Sequence, residues 1–277
     1  MPTNETILQL NQAGIEVTRG TNVAATRKIY ARIAPSYDRP ITEFVDTTGT
    51  FQGRRRMGYG RQKVAFSATD MVTYEDLAWW LKFMQKGGVV GVTDVGTPPA
   101  YTYTFLPTLA TDDLNSMTLE FGEPGNPYES GQVMVNDWTL RFDADNDSEP
   151  GWMLEAGMIG RDWATTTFTP SLVDRTTEVV VARGTKVFVD TTTIGTTQKT
   201  GWLISGSISG NNNLHYKAFS EDENSYAANK VGRGIQITDA ELTVEFDSDV
   251  DFAQFRATTP VQRKIRLQRE GSIIHTT

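Results

Sequence analysis

The sequence predicts a mainly β fold: a β-sandwich or tube-type domain with a flanking α-helix over residues 74–85. Three features predict it. About ten short segments alternate apolar and polar residues or run apolar for the length of a strand. Only one stretch carries a clear helical period. Thr is plentiful and there are 24 glycines in 277 residues, which suits a chain of strands and turns.

Taken in order, residues 26–33 (TRKIYARI) alternate at period two and run into a break at Pro35 and Pro40. A strand around 44–46 then leads into TTGTFQGRRRMGYGR (47–61), which has no periodicity, before KVAFSAT resumes as a strand. The expectation is a hairpin with a long tip. Helix 74–85 follows, with Thr73 as N-cap, Asp76 three residues on, and Gly87-Gly88 as the stop. Leu77, Trp80, Leu81 and Met84 recur at i, i+3, i+4 and i+7 and should face a core. Strand patterns then recur at YTYTFLP, SMTLEF, QVMVNDWTLRF, WMLEAGMIG, TEVVVA, KVFVD, GWLISGSIS, LHYKAF, IQITDAELTVEF and KIRLQRE. Residues 251–257 read as a short second helix before Pro260.

Two short patterns recur. T-[LV]-x-F-D-[AS]-D stands at 139–145 and 243–249, and VDTT at 45–48 and 189–192, in the same order in both halves. They suggest two tandem tube-like domains, residues 1–172 with the helix and a shorter 173–277, against the alternative of one continuous domain.

Composition removes several function classes. With no cysteine, disulfides, thiolate catalysis and Cys-type zinc sites are all excluded. A formal charge of −8 argues against a grip on nucleic acid, which needs clustered Lys and Arg. No run approaches the length of a membrane span, and the opening MPTNETILQLNQ lacks the basic and apolar regions of a signal peptide, so synthesis in the cytoplasm is expected. His215 and His275 are the only histidines, and no G-x-S-x-G elbow or phosphate loop accompanies them. The acidic run from Asp143 to Glu149 begins like a calcium loop, but Ser148 and Leu154 stand where Gly and Glu are needed, which leaves a solvated turn as the plainer reading. No catalytic residue, metal ligand or cofactor site is assigned. The six tryptophans suit packing better than a sugar platform. One basic feature stands out, Arg54-Arg55-Arg56, with Phe51, Met57 and Tyr59 as its apolar neighbours. These six residues form the candidate contact loop between one ring of subunits and the next, with a merely solvated loop and a contact to nucleic acid as the alternatives for the arginines.

Residues 16–30 (EVTRGTNVAATRKIY), through Gly20, Thr21, Val23, Thr26 and Ile29, resemble the opening of the major tail tube proteins of long-tailed, siphovirus-type bacteriophages. Residues 135–172 are similar to that family's central run, through Ile159, Gly160 and Asp162. The resemblance implies a structural virion protein that assembles with itself into stacked rings, trimeric pseudo-hexameric or hexameric. Long hairpins would join neighbouring subunits into a continuous inner barrel. It further implies a lumen holding the tape-measure protein, tail terminator and distal tail proteins as partners, viral DNA only in transit, no membrane, no enzyme activity and no cofactor. A carbohydrate-binding β-sandwich of a virion or surface is the alternative; a hydrolase using carboxylates is a further one.

Overall fold

The computed structural model describes residues 9–47, 49, 54–85, 88–93, 100–105, 114–175, 177–217, 230–245, 253, 256–258 and 262–271. These build a mainly β protein of several antiparallel sheets with one described helix, as the sequence predicts.

The principal sheet is organised by its longest strand, β10 (Asn126–Asp143). The first half of β10 pairs with β9 (Met117–Glu123) and the two-residue β12 (Ala164–Thr165); β9 in turn pairs with β1 (Leu10–Ile15), and β1 with β2 (Arg27–Lys28). Its second half lies between β11 (Met153–Gly160) and β15 (Leu203–Asn211). Beyond β11 come β6 (Lys63–Met71) and the edge strand β3 (Arg32–Asp38); beyond β15 comes the other edge, β18 (Ile237–Val244). The register slips between Ser130 and Val133, where Gln132 adopts a positive φ of 53°. An extra residue of this kind bends a strand, and here it lets one strand serve two sheet surfaces.

Buried carboxylates secure that bend. Glu16 accepts hydrogen bonds from the Gln132 and Gly20 amides, both at 2.7 Å, and from the hydroxyls of Ser116 (2.6 Å) and Thr118 (3.1 Å). Glu120 accepts from the amide and hydroxyl of Thr169 at 2.7 and 2.6 Å. A desolvated carboxylate is tolerable only when donors surround it in this way.

The core follows the strand alternation. Val64, Phe66 and Ala68 of β6, Leu154, Ala156 and Met158 of β11, and Trp138, Leu140 and Phe142 of β10 are all buried. Helix α1 (Tyr74–Met84) covers them, capped by the Thr73 hydroxyl, which accepts from the Asp76 amide at 3.2 Å. Trp80 and Met84 are buried as the spacing predicts, but Leu77 and Leu81 sit at the margin while Trp79 and Phe83 go in. The buried face is therefore centred between the pairs 79/80 and 83/84, because the larger aromatic surfaces gain most from burial.

Several expected boundaries are corrected. Residues 26–33 are not one strand: β2 and β3 are separated by 29–31, which place Ile29 and Ala31 in the core. Pro35 does not break the chain, since β3 runs through it as an edge strand, where a missing N–H can face outward. The segment TEVVVA forms only isolated bridges, Thr73 to Val179 and Gly151 to Val181. Of the expected second helix at 251–257, residues 251, 252, 254 and 255 lie outside the described residues.

Four further antiparallel units complete the described chain: β4 (Ile41–Asp46) with β5 (Arg54–Tyr59), β7 (Gly88–Thr93) with β8 (Ala100–Phe105), β16 (Leu214–Lys217) with β17 (Lys230–Arg233), and β13 (Lys186–Asp190) between β14 (Gln198–Lys199) and β19 (Lys264–Gln268). The principal sheet crosses the expected 172/173 division, because β15 and β18 extend it from β10. The first TxxFDxD segment lies on β10 and the second begins on β18, so the two flank the same strand, β15. The second VDTT has its own task. Asp190 accepts from the amides of Gly195, Thr196 and Thr197 and from the Thr196 hydroxyl, a turn that holds its carboxyl well below the usual range.

Candidate interaction surface

Past Asp38 and Lys63 the paired strands β3 and β6 do not end. After a step at Arg39, Pro40, Gly60 and Arg61, where the Gly60 amide donates to the Pro40 carbonyl at 2.7 Å, they continue as β4 (Ile41–Asp46) and β5 (Arg54–Tyr59). Among the described residues β4 and β5 pair as strands only with each other, in register from Ile41 opposite Tyr59 to Asp46 opposite Arg54. Six residue pairs at about 3.3 Å per residue carry the hairpin on the order of 20 Å past the sheet.

Most of the sequence-predicted contact residues are here, although the predicted tip is shorter than 47–61 because Arg54, Arg55, Arg56, Met57 and Tyr59 are strand residues. Phe51 lies outside the described residues, and for Arg54 only the backbone pairing is described. Arg55 pairs with Glu43 at 3.3 Å, and Arg56 grips Asp46 at 2.7 and 2.9 Å. Two of the three arginines thus hold the hairpin in register before any partner arrives. At its base the Arg39 guanidinium lies 4.8 Å from the centre of the Tyr59 ring.

Both faces of the hairpin are open. Ile41, Val45, Met57 and Tyr59 share one face, and Phe44 stands on the other; all five are between 53% and 66% exposed. The sequence reading missed Ile41, Phe44 and Val45. Their signal was the apolar alternation of ITEFV, read only in part as a strand. Two isolated strands are marginal alone, and large apolar side chains on both faces mark a surface built to be covered.

The remaining surface of the principal sheet is different. Cross-strand partners share a face, so the register fixes outer rows such as Arg32–Thr69–Glu155–Thr139–Ser209–Asp239 and Met71–Met153–Arg141–Ser207–Glu241. Small and hydroxyl-bearing residues dominate, and Asp137, Asp143, Glu155, Asp239 and Glu241 outnumber Arg32, Lys63 and Arg141. Arg141 is itself paired with Glu149 and Glu155. The Asp143–Glu149 stretch forms a turn in which Asp143 accepts from the Asp145 amide at 3.0 Å and Asp147 pairs with Arg183 at 3.1 Å. Among the described residues no three His, Asp or Glu side chains gather as a metal site.

One buried charge cluster lies under the start of the helix. Asp76 takes Arg27 and, at 2.7 Å, Arg175, while Arg27 also lies over the Trp79 ring at 5.0 Å. Burial, then the neighbouring Arg175, lowers the Arg27 guanidinium to about 10. Nearby Asp70, which faces the interior beside Leu154, is pushed up to about 6 by burial and by Asp76, despite a hydrogen bond from the Trp80 indole. The arrangement ties β2, α1 and the 174–175 segment together.

No described helix is long and apolar enough to cross a membrane. The chain matches no protein-family model and no curated protein, so the reading of its surface rests on its own residues.

Proposed function

We propose that the chain is a structural protein whose copies associate into rings stacked as the tail tube of a long-tailed bacteriophage, made in the host cytoplasm and acting in the virion tail. The observation that carries this reading is the projecting β4–β5 hairpin, with Ile41, Phe44, Val45, Met57 and Tyr59 more than half exposed on its two faces. Covering the exposed parts of five such side chains contributes on the order of 1 kcal/mol each. That total is comparable to the lower estimates for the cost of bringing two proteins together, so a single contact is weak. In a closed ring the later contacts become intramolecular and the same small terms accumulate.

The open outer face of the principal sheet suits a passage for DNA. Its Ser, Thr and Gly residues give a smooth wall, and its excess of carboxylates repels phosphate instead of holding it. On this reading the tape-measure protein occupies the lumen first, and tail terminator and distal tail proteins bound the tube. Six chains per ring fit better than three duplicated ones, because the first TxxFDxD segment and the described start of the second belong to one sheet.

Negative-stain microscopy of the purified protein at rising concentration tests the proposal. Stacked rings of regular diameter are expected. A protein that stays monomeric at every concentration, or that binds glycans as a monomer, refutes it in favour of a surface-binding sandwich.

A further inference from the structure

We infer that the edge of β18 in one copy is the acceptor for the β5 edge of the hairpin in the next, antiparallel, with Arg55 beside Asp239, Met57 beside Ile237 and Tyr59 beside Ile235. This deepens the assembly reading above and rests on it.

The two edges of the principal sheet differ in a way that matters for pairing. On β3, Pro35 offers no N–H, and the Gln9 side chain already donates to the Ile33 carbonyl at 2.7 Å. Exposed edges are commonly blunted by such devices. Within β18 neither device occurs among the described residues, and only the Ile235 carbonyl just before it accepts from a side chain, Asn213 Nδ2. Its sequence ITDAELTV contains no proline or lysine, it hydrogen-bonds to β15 alone among the described residues, and most of its residues are exposed on both faces. A long, unprotected edge with β-branched residues is a template for another strand.

What fits that edge is set by the order of side chains. From its start β5 runs basic and then apolar: Arg54, Arg55 and Arg56, followed by Met57 and Tyr59. The acceptor runs apolar and then acidic: Ile235 and Ile237, 85% and 53% exposed, followed by Asp239 and Glu241. Neither acid has an ion pair among the described residues, and no basic residue stands between 236 and 245. An antiparallel alignment sets Arg55 beside Asp239 and the apolar Met57 and Tyr59 beside Ile237 and Ile235; a parallel one sets Arg55 against Ile237 and Tyr59 against Glu241. The other edge of β5 is available, since among the described residues β5 pairs with β4 alone.

The chain has no cysteine, so introduced pairs report on this contact without background. Met57→Cys with Ile237→Cys, and separately Arg56→Cys with Thr238→Cys, sample adjacent positions of the proposed ladder. A disulfide needs Cα atoms within about 7 Å. At least one pair is expected to give covalent oligomers on mild oxidation, and Met57→Cys with Thr243→Cys, displaced along the strand, is expected to give none. A second arm reverses charge. Asp239→Lys is expected to weaken assembly at least tenfold with an unchanged melting temperature, and adding Arg55→Glu together with Glu43→Lys, which keeps a charge pair across the hairpin, is expected to restore it. Regular rings that form without cross-links and with no response to Asp239→Lys place the acceptor elsewhere and leave the tube reading standing. Absence of any self-association in the parent protein overturns both.

Discussion

Asp70 is a carboxyl placed where its charge is costly, and replacing it by Asn should stabilise the protein in a pH-dependent way. It lies in the interior-facing row of β6 beside Leu154, and one of its oxygens has no hydrogen-bond partner. Burial and the neighbouring Asp76 raise it from 3.8 to about 6. The same shift, converted at about 1.4 kcal/mol per pH unit, amounts to about 3 kcal/mol. Asp70 retains some contact with water, so screening reduces this to about 1–2 kcal/mol. The sign follows from a folded pKa above the unfolded one: the contribution of Asp70 is fully present below about pH 4 and is lost as pH rises through about 6. Asp70→Asn keeps an oxygen for the Trp80 indole and removes the charge. At pH 7.5 it should raise stability by about 1–2 kcal/mol, or roughly 2–8 °C in melting temperature for a protein of this size. At pH 4 the two proteins should melt together. The assay is thermal and urea unfolding of parent and variant from pH 4 to pH 8. A difference independent of pH, or a variant less stable at pH 7.5 than at pH 4 relative to the parent, would refute the placement of this carboxyl in a desolvated, like-charged setting.

Two other substitutions test the frame that holds the hairpin in place. Glu16→Gln sets an amide against the Gly20 N–H or the Gln132 N–H at the bend of β10 and should destabilise by about 2–4 kcal/mol, seen as a lower denaturant midpoint at constant slope; a loss under about 0.5 kcal/mol would remove Glu16 from that role. Gly210→Ala places a Cβ 2.5 Å from the Trp138 ring and should destabilise by about 1–3 kcal/mol, whereas Gly125→Ala, with nothing within 4 Å, should be near neutral; equal stability of the two variants by calorimetry would contradict the close packing of β15 on β10.

The sequence alone determined the class of the fold and the position of its helix. Thr73, Asp76 and the apolar spacing are local signals, acting within one turn, and they put α1 at the right place. It also singled out Arg54, Arg55, Arg56, Met57 and Tyr59, because a basic run in an acidic chain is visible without any structure. What it could not determine was anything that depends on which strand lies beside which. Pro35 read as a break because its missing N–H is harmless only at an edge, and edges exist only once a sheet has formed. Arg55 and Arg56 read as free charges because Glu43 and Asp46 become their partners only across the hairpin. The repeated TxxFDxD segments read as equivalent parts of two domains, yet the tertiary structure sets the first and the described start of the second on either side of β15. Asp70, one alternating residue in a strand, had no mark of its own; only the packing of α1 over β6 encloses it beside Asp76. Local chemistry fixes the conformation of short segments, while pairing, burial and charge proximity are properties of residues far apart in the chain, and those decided which face of this protein was left open.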